Sequence, residues 1–315
     1  MPCSNYNSRL NQEVKVSIWF YVASILAGGV AGGVTLRRRF HRRLQRELAA
    51  PREPVATTLE AHRLHGEAAR FATQRGRWLE GWWLPAAWPR GHVVLTHGWG
   101  ANRATLLPLA PLLLEAGWNV LLFDVRNHGD SDSDTFSSMP RFAEDIDAAL
   151  AWLKQTQAAL PTALIGHSVG AAATLLAASR RDDIAAVVSL ASFAHPDSMM
   201  RRWLAQKGLP FFPLGWYVLR YVEHVIGHRF DAIAPVNTLG RIRCPVLLVH
   251  GESDTVIPPD DAHMLASAGR TNVTLRLVEG GHDLSASLVH HGDELVAFLR
   301  AAPAQAITDR HSERH

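Results

Sequence analysis

The pentapeptide Gly166-His167-Ser168-Val169-Gly170 lies between an apolar run, Ala163-Leu164-Ile165, and an Ala/Leu-rich segment from Ala171 to Ala178. Those flanks predict a strand, a tight turn and a helix. A G-x-S-x-G at such a junction holds its serine on a strained elbow, with the hydroxyl exposed above the sheet and glycines on either side to permit close backbone approach. The chemistry it suggests is nucleophilic attack on an acyl carbon. That requires a base to take the serine proton, a third group to orient the base, and donors for the oxyanion.

Each of these has a candidate at the end of another apolar run. His97-Gly98-Trp99-Gly100 follows the run His92 to Thr96, so the Trp99 backbone N–H is expected to face the substrate oxygen, with the Val169 N–H as second donor. The helix beginning at Ser168 adds a dipole that favours developing negative charge. After the run Pro245 to His250 comes Gly251-Glu252-Ser253-Asp254, which makes Asp254 the expected acid. After the last run, Glu279-Gly280-Gly281-His282-Asp283 makes His282 the expected base.

With seventeen histidines, false bases are numerous. His97 is expected to shape the oxyanion loop, His167 to point elsewhere on the elbow and His250 to end a strand. His290 and His291 fall too late, in the last helix. Asp260 and Asp261 suit the start of a helix, where carboxylates favour the dipole, and Asp283 competes less well than Asp254.

The elements that must position these residues begin near Val55. Leu59 to Leu64, Ala68 to Thr73 and Trp78 to Leu84 read as opening antiparallel strands separated by Gly66 and Gly76. Apolar runs then alternate with helical segments: His92 to Thr96, Asn119 to Asp124, Thr162 to Gly166, Ala185 to Leu190, Pro245 to His250 and Val273 to Val278. This alternation predicts an α/β fold, a mostly parallel sheet with helices on both faces. Helices are expected at Arg103 to Ala116, from Ser138 or Pro140 through Leu153, and at Ser168 to Ala178, Pro259 to Ala268 and Leu284 to Leu299. From about His195 to Leu239 the alternation breaks. Met199, Met200, Trp203, Phe211, Phe212 and Trp216 are among the apolar residues there, as expected of a helical cap that excludes water from an apolar pocket.

Upstream the sequence has a different character. Ser17 to Leu36 is twenty residues without a charge, enough for a helix of roughly 30 Å to cross a bilayer. Arg37-Arg38-Arg39-Phe40-His41-Arg42-Arg43 follows, against only Arg9 and Lys15 before it. The positive-inside rule then predicts an uncleaved single-pass membrane anchor with the catalytic domain in the cytoplasm. Gly28/Gly32 and Gly29/Gly33 form overlapping G-x-x-x-G pairs through which a homodimer could pack. The expected organisation is an N-terminal segment 1–16, a transmembrane helix 17–36, a basic juxtamembrane linker 37–54, a catalytic domain 55–302 with its cap at about 195–239, and a loose tail 303–315.

Charge follows this division. Residues 1–53 hold nine Lys and Arg against three Glu, net +6, so the remaining 23 Lys and Arg against 26 Asp and Glu give −3 within the overall +3. A folded domain of that sign lacks the basic face that nucleic acid requires. Cys3 and Cys244 are the only cysteines, which argues against a disulfide framework. No metal site and no cofactor are expected.

The order Ser168, Asp254, His282 at three strand ends resembles that of the α/β-hydrolase fold superfamily, in its serine esterase, lipase and thioesterase-like branch, over about Val55 to Leu299. Phe123 to Ser131 is similar to that superfamily's D-x-R-x-x-G-x-S loop, which is structural there. The resemblance implies a serine hydrolase that cleaves a carboxylic ester or thioester through an acyl-enzyme, here membrane-anchored because of the N-terminal run and Arg cluster, which lie outside the common fold. The anchor and aromatic cap point to lipid-like substrates. The alternatives are a peptidase or amidase with the same triad, or a catalytically silent membrane-tethered binding protein. A dehalogenase-like enzyme is excluded, because its chemistry needs a carboxylate where Ser168 stands.

Overall fold

The structure, a computed structural model, describes residues 32–46, 48–284 and 292–301. The chain divides into two compact units, one ending at Ala49 and one beginning at Ala50. Helix α1 (residues 32–46) is the main described element of the first. It contains the arginine cluster from Arg37 to Arg46, charges that a hydrocarbon core disfavours. Among the described residues no helix is long and apolar enough to cross a membrane. The expected span therefore gains no support from the described part of α1, while its residues 17–31, with Gly28 and Gly29, lie outside the described residues.

The second unit is built on an eight-stranded sheet in the order β1-β2-β4-β3-β5-β6-β7-β8. The strands are β1 (Glu67–Thr73), β2 (Arg77–Leu84), β3 (Gly91–Thr96), β4 (Trp118–Phe123), β5 (Thr162–His167), β6 (Ile184–Leu190), β7 (Val246–Gly251) and β8 (Val273–Val278). β2 is antiparallel to both of its neighbours, and every pairing from β4 through β8 is parallel. All residues of β3, β4, β6 and β7 are buried. That explains their mostly apolar composition, since a central strand is covered on both faces. The edge strands β1 and β8 instead alternate buried or half-buried with exposed residues over much of their length.

The helices follow their sequence signals closely. α2 (Ala110–Glu115) packs on β4, and α3 (Met139–Thr156) starts after Ser138 with Pro140 in its first turn, where proline's missing N–H costs nothing. α4 (Val169–Ala178) is buried along its whole length against α3, β5 and β6, so it is apolar all round. Between β6 and β7 the insertion forms α5 (Pro196–Gln206), α6 (Trp216–Ile226), α7 (Phe230–Ile233) and α8 (Pro235–Thr238). α9 (Pro259–Ala268) has the expected bounds, and α10 (residues 292–301) is the described part of the last helix.

Two expectations need correction. Leu59 to Leu64 is not a strand: Glu60–His62 is a 3₁₀ turn, and Arg63 takes a left-handed conformation that brings the Leu64 N–H to the Leu59 carbonyl at 3.0 Å. The turn lets Leu59 enter the core with Leu64 packed against it, which an extended segment, with its side chains alternating, would not do over that span. Arg103–Leu109 is a 3₁₀ helix that becomes α-helical only at Ala110, because Asn102 caps its start through the Ala104 N–H and Pro108 lacks an amide to donate. Within the insertion expected to form the cap, Phe212 and Trp216 are 77% and 51% exposed. The tail 303–315, with His290 and His291, lies outside the described residues.

Candidate active site

Ser168 follows the last residue of β5 and precedes the first of α4, with φ 55° and ψ −120°. A non-glycine residue in that region is strained, and it persists only where its surroundings over-determine it. Here they do. The Ser168 amide donates to the Leu190 carbonyl of β6 at 2.8 Å, and its carbonyl accepts from the Ala172 amide. A Cβ at Gly166 would overlap the Gly170 carbonyl, and one at Gly170 would overlap the Thr96 and His97 carbonyls. Each glycine is thus required by a backbone contact, and together they seat the elbow against the end of β3.

Three strand ends meet at this elbow. The Ser168 Oγ lies 3.0 Å from His282 Nε2, and His282 Nδ1 lies 2.8 Å from Asp254 Oδ2. A carboxylate can only accept, so Nδ1 carries the imidazole proton and Nε2 presents a lone pair to the serine hydroxyl. Asp254, 4% exposed, accepts on Oδ1 from the Val256 and Ile257 amides at 2.8 Å each. Ser168 is 8% exposed. The loop carrying His282 is fastened to the end of β7, where the Ser253 amide donates to the Gly280 carbonyl and the absence of a side chain on Gly251 admits the Gly280 and Gly281 carbonyls.

The expected oxyanion loop is also close. A Cβ on Gly98 would stand 3.2 Å from the Ser168 Cβ, so the loop approaches the nucleophile at the closest distance a side chain would allow. Among the described residues the Trp99 amide donates to no backbone carbonyl, and the Val169 amide, first in α4, has no partner within its own helix. His97 Nδ1 lies 2.7 Å from the Gly98 carbonyl, while its Nε2 lies 3.2 Å from the Val125 amide. One nitrogen donates and the other accepts, which is the pattern of a neutral ring. Burial accordingly lowers its pKa to about 4. His97 therefore shapes the loop and is not a base. His128, packed edge-on to Trp99 and Phe142, is likewise held at about 4 by burial.

Several polar residues around the site carry no sequence signal of their roles. His167 does not point away from the chemistry: its Nε2 lies 2.8 Å from the His282 carbonyl. His250 Nε2 donates to the Ile257 carbonyl at 2.8 Å and lies 3.4 Å from Asp254 Oδ2, so it braces the turn that holds the acid. Asp261 is in the first turn of α9 as expected, yet it is buried. It accepts from the Ala194 amide and pairs with Arg202 of α5 at 2.7 Å, tying the insertion to the sheet unit. A periodicity argument finds a helix start but not a partner 59 or more residues away. Only the density of polar residues near strand ends hints at such contacts. Among the described residues, no group of three or more His, Cys, Asp or Glu is arranged to hold a metal ion.

Comparison with known proteins agrees with this architecture. The family model for the alpha/beta hydrolase fold matches residues 91–217. The chain is 28% identical over 249 residues to the uncharacterised protein YfhR of Escherichia coli K12, covering 75% of this chain and 81% of YfhR. It is 23% identical over 263 residues to the monoglyceride lipase of Mus musculus, covering 70% and 87%. The Pyrococcus furiosus esterase Pf2001 superposes with a TM-score of 0.66 at 22% identity, covering 81% of this chain and 99% of the esterase, a likeness of fold. The chain has the α/β-hydrolase fold.

Proposed function

We propose that this protein is a serine hydrolase of carboxylic esters or thioesters. The observation that carries this reading is the His282 ring, bonded to Asp254 through Nδ1 and to Ser168 through Nε2. As the Ser168 Oγ attacks the acyl carbon, its proton passes to His282 Nε2, Asp254 stabilises the resulting imidazolium, and the Trp99 and Val169 amides receive the oxyanion. His282 then returns the proton to the departing alcohol or thiol, leaving an ester between Ser168 and the acyl group. Water, deprotonated by His282, attacks that ester and releases the acid, which restores the Ser168 hydroxyl. The cycle needs no cofactor. The substrates are lipid-like: buried acyl chain contributes about 0.8 kcal/mol per CH₂, and the insertion between β6 and β7 supplies apolar surface.

The test is hydrolysis of p-nitrophenyl esters of two to sixteen acyl carbons by wild type and Ser168→Ala. Turnover that disappears with Ser168 and rises with chain length supports the reading. Turnover that survives Ser168→Ala overturns the mechanism, and a profile that falls with chain length overturns the substrate class. We further propose that the uncharged run 17–36 tethers the chain to a membrane with the catalytic unit in the cytoplasm. Resistance of the full chain to alkaline carbonate extraction tests the tether, and protection of the catalytic unit from external protease tests its side.

A further inference from the structure

We propose that His167 is a positioning residue for the base, pinning the main chain of His282 while Ser168 engages its side chain. This rests on the assignment of Ser168 and His282 to the chemistry. His167 ends β5, so its Cα is fixed by the sheet one residue before the elbow. Its Nε2 lies 2.8 Å from the His282 carbonyl oxygen, 115 residues along the chain. A carbonyl only accepts, so Nε2 carries the proton.

The elbow and the base are therefore joined at two points, the Ser168 hydroxyl to the ring and the His167 ring to the backbone. One bond alone fixes a distance. Two bonds from adjacent residues also fix the swing of the loop that carries the ring. The wall behind His167 is the oxyanion loop, where a Cβ on Gly98 would stand 3.2 Å from its Nδ1. His167 thus touches all three parts of the site without occupying the substrate's place.

Its charge state suits that task. The titratable groups facing it are His282 and Asp283 on the loop after β8, Asp254 after β7, and His97 on the oxyanion loop. Burial, together with the neighbouring His282, keeps the His167 pKa below the ordinary histidine value. The ring centroids of His167 and His282 are 5.0 Å apart, so a charged His167 would oppose the imidazolium that His282 must become. A neutral N–H donor holds the carbonyl without that opposition.

Two readouts on the full chain test this, one of them independent of catalysis. His167→Phe keeps the ring volume and removes the donor, whereas His167→Gln keeps an N–H near the position of Nε2. Hydrogen exchange of the 279–284 amides is expected to quicken at least tenfold in His167→Phe and to recover in His167→Gln. In ester hydrolysis, kcat is expected to fall on the order of 10- to 100-fold in His167→Phe with KM within about twofold, a loss of geometry without loss of binding. The acid limb of kcat/KM should move with it, and His167→Gln should regain most of the rate. Exchange and acid limb that stay at wild-type values in His167→Phe overturn the proposal, as does a His167→Gln variant equal to His167→Phe in exchange. Should exchange respond while wild-type turnover ignores Ser168→Ala, the contact stands and the assignment of the chemistry falls.

Discussion

Asp124 and Asp254 stand at equivalent places, just past the ends of β4 and β7, and both are almost wholly buried. Asp124 accepts from the Arg103 amide at 2.6 Å and the Asp130 amide at 2.9 Å, and it pairs with the Arg103 guanidinium. Every donor it meets is a fixed amide or a permanent cation. Asp254 also accepts from two backbone amides, those of Val256 and Ile257, but both reach Oδ1, and its Oδ2 meets the His282 ring. That histidine has a second nitrogen, and the second nitrogen reaches a serine. A buried carboxylate closed upon itself holds a loop in shape, while one whose donor can pass a proton onward has the partners that the proposed reaction needs.

That contrast can be broken most severely at Asp254. Asp254→Asn is expected to leave the fold intact and lower kcat on the order of 10⁴-fold, because the amide favours the wrong imidazole tautomer; steady-state ester kinetics check it, and a loss under tenfold would remove Asp254 from the chemistry. Asp124→Asn should do the reverse. It leaves the largely buried Arg103 with Asp130, itself more than half exposed, as its remaining charge partner, which costs about 3 kcal/mol of stability, the low end for a broken buried pair, while the folded fraction retains its turnover. Urea denaturation beside active-site titration separates those two quantities.

Gly129→Ala sharpens the same point, since the new Cβ would overlap the Asp124 carboxylate from a backbone at φ +46°. A loss of about 2–3 kcal/mol is expected from overlap and strain together, visible as a lower urea midpoint; an unchanged midpoint would mean that the loop after β4 yields easily.

The smallest effect is in the pH dependence of stability. His97 and His128 titrate near 4 when folded, against an ordinary histidine value of 6.5. Between those limits the unfolded chain binds protons that the native one refuses, so both histidines make stability fall as pH drops from 6.5 towards 4. Asp145, raised to about 6 by burial against the opposing pull of Arg126, acts in the opposite sense over much of that window. His128→Phe should therefore flatten the fall by about 1.4 kcal/mol per pH unit around pH 5. Denaturation at a series of pH values checks it, and equal slopes for the two proteins would exclude His128 from the linkage.

The sequence carries the sheet because its buried strands are mostly apolar runs with turn residues at their ends, and the two edge strands β1 and β8 differ from them in pattern. Ser168, Asp254 and His282 are legible for a related reason, as polar residues set among glycines where such runs end. His167 is not legible in its role, because a ring that bonds a carbonyl 115 residues away leaves no local periodicity. Nor does apolar content alone say which way a side chain faces: Trp203 and Leu204 are adjacent in α5, yet only Leu204 is buried. The strand expected at Leu59 to Leu64 fails because two leucines five apart serve a turn as well as an extended run.

The contacts between the elbow and the end of β3 are backbone on backbone, with glycine on the side that closes them. Side chains take little part in that seam, so drift in the surrounding side chains has little purchase on it. The insertion between β6 and β7 instead meets the sheet unit through side chains, as in the Arg202–Asp261 pair. On the proposed reading the nucleophile and the surface that meets the substrate rest on separate parts of the fold, and a transplanted insertion should change the choice of substrate while leaving the nucleophile as reactive as before.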